Sequence, residues 1–311
     1  MAILVCGMAV LFAREMLLVW GAPDADLLDP FNDANTYRAA GERLNEGHQL
    51  YALQPGDRPV LLLEGYPVPL VSPPPIAAIW RPLAVLPFGF ALWVGAAWLA
   101  LLGTVAYLVM KIGLPAAVLA AALSFSIGEQ LVAANLTAFF PALLVLAWRH
   151  RADPRAGAII GVLAGLKLAP AVMGGWFLGV HRTVGLIWML VGAFAMAIIG
   201  AIGAGAMSYV DYADVARSMP TFPMSLSGQT GITWLSPVAL VAGTVFAAAL
   251  WRMPRLSFAI SVATLVIGSP VLLFTTFTLL LAALAPLIPE PDRADAAAPV
   301  AEWRSTGWAA A

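Results

Sequence analysis

The chain has 311 residues, 61% of them hydrophobic and 11% charged, with a formal net charge of −1 and a mean hydropathy of +0.88. A water-soluble domain carries about 25% charged residues, so the composition excludes an ordinary soluble enzyme, and the lack of a basic tract argues against a nucleic-acid partner. The one cysteine, Cys6, excludes a disulfide within the chain and a multi-cysteine metal site.

Residues 2–20 lack a basic leader and a small-residue cleavage site, and read as a retained membrane span. Further spans are predicted at about 88–110, 113–128, 131–148, 184–207, 232–250, 256–270 and 271–289. Runs such as 184–207 exceed the roughly 20 residues a helix needs to cross a bilayer. They are continuous rather than alternating, which argues against a barrel. The fold class is therefore all-α, a polytopic membrane protein of about eight helices forming one domain over residues 1–290.

Residues 21–87 form a long first loop. Within it, the stretch NDANTYRAAGERLNEGHQLY (32–51) is strongly polar. Asp33–Asn45 reads as a helix with Tyr37, Ala40 and Leu44 on one face and Gly47 as its stop. Asp33 at its head is either a cap, alone or shared with Asn32, or a catalyst. A second short helix is predicted at 75–86, with Trp80 and Arg81 at headgroup level. Acids outnumber bases in 21–75, while Lys111, Arg149, Arg151, Arg155, Arg182, Arg252 and Arg255 mark the other side. A cytoplasmic N-terminus puts all of those bases inside, and puts 21–75 and 208–231 outside.

Residues 156–180 are flanked by basic residues at both ends, with Lys167 and Pro170 in the middle. They read as a re-entrant pair of short helices broken at KLAP, or else as one ordinary span. Lys167 is an ionisable group inside an apolar segment and so a candidate for function. The Ala/Pro-rich tail 291–311 reads as disordered and cytoplasmic.

DANTYRAAGERLNEGHQLYAL followed by SPPPIAAIWRPLAVLP resembles the first outer loop of glycosyltransferase family 87, membrane enzymes of the GT-C superfamily typified by polyprenyl-phosphate-mannose-dependent mannosyltransferases. The matching residues are Asp33, Tyr37, Ala39, Ala40, Gly47, Tyr51, Pro73, Pro74, Pro82 and Pro87. AGAIIGVLAGLKLAP is similar to the family's re-entrant block at Ala156, Gly157, Lys167 and Pro170. Gly128, Gln130 and Asn135 loosely match a GQxN pattern, and Ser269–Pro270 the start of a late motif. Ser72 stands where the family has tyrosine, and Thr275 and Thr276 stand where it has histidine.

The resemblance implies a GT-C-like fold and transfer of a hexose, mannose foremost, from a polyprenyl-phosphate donor to a glycan or glycolipid hydroxyl on the extracytoplasmic face. Such transfer needs a carboxylate to take the acceptor proton, and Asp33 is the candidate, with inversion following from a single base. Asp24, Asp26 and Asp29 are the other loop acids that could take that role. Arg38, Arg81 and Arg217 suit the leaving phosphate, since a guanidinium matches its oxygens. Lys167, Tyr37, Tyr51, Asn135, Thr275 and Thr276 complete the candidate substrate-binding set. Nothing in the residues calls for a metal or a cofactor. The competing expectation is a non-catalytic polyprenyl-phosphate binder, a lipid-carrier transporter or an accessory subunit on the same scaffold.

Overall fold

The computed structural model describes residues 31–54, 69–180, 182–218 and 221–289, and the regular elements among them are all helical. The expected first span at 2–20, Cys6, Asp24, Asp26, Asp29 and the tail 291–311 lie outside the described residues.

The helix expected from Asp33 runs as α1, Asn32–Asn45. Prolines at its first positions start α2, Pro74–Val85. A long apolar helix follows, α3, Gly89–Ile112, and Gly113 ends it at φ 77, a conformation that side-chain-bearing residues resist. Next come α4 (Leu114–Ala122), α5 (Ser124–Ala133), a 3-10 turn (Leu136–Phe139) and α6 (Phe140–Arg149). After α7 (Pro154–Leu166), a 3-10 turn (Ala169–Met173) and the short α8 (Gly174–Gly179), the chain enters α9, Thr183–Ala204. The remainder is α10 (Met207–Ser218), α11 (Leu226–Thr230), α12 (Leu235–Ala249), α13 (Pro254–Ile267) and a 3-10 helix, Phe274–Leu287.

Two of these helices, α3 and α9, are each long and apolar enough to cross a membrane, and α4 with α5 makes a third candidate, bent by 64°. Exposed Ile187, Leu190, Phe194 and Ile202 give α9 an apolar outer face suited to lipid. The chain is thus a helical membrane protein.

Two expected spans are broken rather than continuous helices. Residues 113–128 are not one helix, because the chain bends at Leu123 between α4 and α5. Residues 131–148 break at Ala134–Asn135. There the Asn135 side chain accepts the Thr137 N–H, so it competes with the helical ladder, and Pro141 restarts the helix as α6. Trp80 is fully buried within the protein. It packs on Trp93 and Phe90 under α1, where Gly41 lets the helix backbones meet: a Cβ there would lie 2.7 Å from the Trp80 carbonyl carbon.

The tightest helix pairing joins α7 and α9. Gly157, Gly161 and Gly165 fall one turn apart on α7, and added Cβ atoms at the first two would lie 2.1 Å from the Gly185 and Met189 carbonyl oxygens of α9. Small residues at this spacing are how membrane helices bring backbones together. Next to this seam, the segment 151–182 goes out and back. It leaves at Arg151, turns at Lys167, and returns so that Arg151 and Arg182 line one cavity. The turn falls where KLAP predicts it.

Candidate active site around Asp33

Asp33 occupies the first turn of α1 but does not cap it. The residue before the helix is Phe31, and no side chain caps that end. The Asp33 carboxylate is used elsewhere: its Oδ2 accepts a hydrogen bond from Asn135 Nδ2 at 2.6 Å, across 102 residues of sequence. The amide orientation of Asn135 is fixed independently. Its Oδ1 accepts the Thr137 backbone N–H at 2.8 Å, and that group can only donate. The NH2 group is therefore the one that faces Asp33. Thr137 Oγ1 donates to Asn135 Oδ1 at 2.8 Å or to Gln130 Oε1 at 3.2 Å, and Gln130 Nε2 donates to the Asn135 carbonyl at 3.0 Å. Gln130 is fully buried, so this is a closed polar network beneath a carboxylate.

Backbone strain gathers around the same pair. Phe31 (φ 64) and Ala134 (φ 46) are the non-glycine residues with left-handed backbone among the described residues. One lies two residues before Asp33, the other directly before Asn135. Such conformations cost about 1–3 kcal/mol each and persist where surrounding contacts enforce them. Those contacts are present. The Phe31 N–H donates to the Val132 carbonyl at 2.7 Å, and Trp93 Nε1 donates to the Ala134 carbonyl at 2.8 Å.

Lys167 comes from a third segment. It ends α7 in extended conformation, φ −145 and ψ 133, and its charge acts on Asp33. Among the described residues its ammonium has no hydrogen-bond or ion-pair partner, and its backbone N–H donates to the Leu163 carbonyl. Asp33 and Lys167 both keep part of their surface open. Burial pushes the Asp33 carboxyl above its ordinary value of 3.8, while the Asn135 hydrogen bond and the Lys167 charge hold it down. Tyr37, one turn further along α1, is buried edge-on against Trp93. Burial, and then the Asp33 charge, push its phenol up, so it stays neutral.

The remaining candidates sit apart or are engaged. Arg81 donates to the Gly203 carbonyl (2.7 Å) and to Asn45 Oδ1 (3.2 Å), pinning α2 to α9 and to the end of α1. Arg38 pairs with Glu42 at 3.6 Å on the exposed side of α1. Arg217 pairs with Asp214 at 2.8 Å on exposed α10. The Tyr51 hydroxyl donates to the Ser72 carbonyl at 2.7 Å. Thr276 Oγ1 accepts the Leu273 N–H at 3.3 Å at the head of the 3-10 helix, and the Thr275 carbonyl accepts from Thr278. Sequence reasoning missed Thr137. Its signal is the spacing Asn-x-Thr, with an Asn side chain poised for the N–H two residues on.

A profile of glycosyltransferase family 87 matches residues 71–302. The chain belongs to glycosyltransferase family 87. One curated relative is the polyprenol-phosphate-mannose-dependent alpha-(1-2)-phosphatidylinositol pentamannoside mannosyltransferase of Mycolicibacterium smegmatis, 30% identical over 187 residues. That match covers 53% of this chain and 45% of that enzyme. No solved structure matches the chain. The family 87 match takes in Asn135, Lys167, Thr275 and Thr276 but begins after Asp33. Asp33 is joined to the matched region by its hydrogen bond to Asn135.

Proposed function

We propose that this family 87 protein transfers a hexose, mannose foremost, from a polyprenyl-phosphate donor to a hydroxyl of a glycan or glycolipid, on the extracytoplasmic side. The observation that carries this reading is the Asp33 carboxylate, held by Asn135 and acted on by the Lys167 charge. Asp33 takes the acceptor proton as the hydroxyl oxygen bonds to the anomeric carbon. The bond from that carbon to the phosphate oxygen breaks on the opposite face, and the configuration inverts. The polyprenyl phosphate leaves with the electron pair, next to the cation of Lys167. A phosphate leaving group needs little protonation, so no second carboxylic acid is required. Burial that raises the Asp33 carboxyl makes it a better proton acceptor, while the Asn135 hydrogen bond and the Lys167 charge favour its ionised form.

The test compares wild-type protein with Asp33→Asn in a transfer assay using polyprenyl-phosphate mannose. A fall of at least about a hundredfold is expected. Unchanged turnover would remove Asp33 from the mechanism. Protein that binds polyprenyl phosphate and never turns over a sugar donor would favour a carrier-binding role instead.

A further inference from the structure

A second polar centre lies at the other end of α7. The helix α7, Pro154–Leu166, is thirteen residues long, about 20 Å at 1.5 Å per residue, so this centre is distinct from the Asp33 site. Arg151, Arg182 and Arg255 line a cavity of about 110 Å³ together with Trp148, Trp176 and Pro254, and no carboxylate is among the lining residues. Basic residues that only mark the side of a membrane can remain solvated, yet here they converge on one space.

Two residues that line this cavity carry unanswered donors. The indole Nε1 of Trp176, a residue 1% exposed, has no hydrogen-bond partner, and neither does the buried Nη1 of Arg182. A buried donor without an acceptor costs about 1–3 kcal/mol. The helices worsen the charge balance. Arg182 sits at the N-terminus of α9 and Arg255 in the first turn of α13, and neither helix has an acid in its first turn. Helix N-termini carry partial positive charge and favour anions over cations. Burial and the Arg151 charge also push the Arg182 guanidinium down. The nearby acid Asp153 is engaged, pairing with Arg155 and capping α7. The Trp176 indole and the Arg182 Nη1 are the donors that an anion would answer.

We propose that the cavity binds one phosphate group, carried by an anionic phospholipid headgroup or by a soluble phosphoester. The guanidinium forks match phosphate oxygens, the indole N–H is a donor with no acceptor role, and the two helix ends add to the field. The volume fits a single oxyanion and is well below the roughly 300–1,000 Å³ of pockets that enclose drug-sized ligands.

The test uses the whole chain in detergent, with phosphatidylglycerol and inorganic phosphate as probes and phosphatidylcholine as the zwitterionic comparison. Native mass spectrometry counts retained lipid, and thermal unfolding reads the effect of phosphate. One retained phosphatidylglycerol, reduced at least about tenfold in Arg182→Gln and Arg255→Gln, supports a headgroup site. Stabilisation by inorganic phosphate, lost in the same variants and without preference for phosphatidylglycerol, supports the soluble source. Trp176→Phe keeps shape and charge and removes only the N–H donor, so it tests the site should the arginine variants fail to fold. It should weaken binding about threefold or more. Exposed Arg252, stacked on Trp251, is the control. Binding that is unchanged in Trp176→Phe and Arg182→Gln, or reduced as much by Arg252→Gln, overturns the proposal.

Discussion

The two ends of α7 solve opposite electrostatic problems. At Lys167 a half-buried carboxylate is held in place: Asn135 donates to one of its oxygens, Thr137 and Gln130 fix Asn135, and the Lys167 charge acts on it. At Arg151 three guanidiniums meet two helix N-termini and an indole N–H, with no acid among the lining residues. At the first end the network around the base is finished without a ligand, as preorganisation requires, and the Lys167 ammonium alone is left open. At the second, the Trp176 and Arg182 donors are unanswered, as they would be at a site awaiting an anion. A satisfied polar cluster suggests chemistry, whereas an unsatisfied one suggests a missing binding partner.

That contrast can be broken at several points. Asn135→Asp attacks the finished end hardest. Two carboxylates within hydrogen-bond distance cannot both ionise readily, so Asp33 or its new neighbour holds a proton. Turnover at neutral pH should fall at least about a hundredfold, with partial recovery at higher pH in a rate–pH profile. A profile that only scales down, without moving along the pH axis, would deny Asn135 its role in setting the ionisation of Asp33.

Gly161→Leu tests the seam that joins the two ends. Its side chain must push past the Met189 carbonyl oxygen, and overpacking costs about 1–3 kcal/mol or more. The melting temperature in detergent should drop, and transfer activity and phosphatidylglycerol retention should both suffer. A loss confined to one end would show that the seam does not hold them together.

Lys167→Met is milder. It removes a charge that lowers the Asp33 carboxyl. The acidic limb of kcat/KM should therefore move to higher pH. Once that limb passes neutrality, the rate at neutral pH falls about tenfold for every further pH unit it travels. An unmoved limb would leave Lys167 with phosphate binding alone.

The smallest effect expected is on stability. Burial holds the folded Asp33 carboxyl above 3.8, so folding takes up a proton at pH values between the unfolded and folded ionisations. Stability from this group is present at low pH and declines as pH rises through that window. Asp33→Asn stays neutral throughout and should melt slightly higher than wild type at neutral pH while losing activity, a trade-off common at working sites. A lower melting temperature would argue for a structural role.

What the sequence made legible was local. The run Asp33–Asn45 carried helix periodicity and a Gly stop, and α1 spans Asn32–Asn45. KLAP carried a proline and a lysine in an apolar segment, and the chain turns there. Basic flanks on 156–180 anticipated that both ends return to one place. The hydrogen bond from Asn135 to Asp33 was not legible, because it spans 102 residues and depends on a left-handed Ala134 that no residue preference announces. Nor was the engagement of Arg81: residue type suggested phosphate, but the α9 carbonyl it reaches lies 122 residues away. The burial of Trp80 was not legible either, because it depends on the close contact with Gly41 across the chain.

The helix at the end of the described chain carries a further consequence. Fourteen residues of 3-10 winding, Phe274–Leu287, rise about 28 Å at 2.0 Å per residue, against about 21 Å for an α-helix, which brings a short segment close to the thickness of a bilayer core. Three residues per turn stack the side chains in straight files. Phe274, Phe277, Leu280 and Ala283 form one partly exposed file, while Thr275, Thr278 and Leu281 and then Thr276, Leu279, Ala282 and Ala285 form two buried ones. Tolerance to substitution along this segment should therefore beat with a period of three, a rhythm that a polar-substitution scan read by protein yield would hear directly.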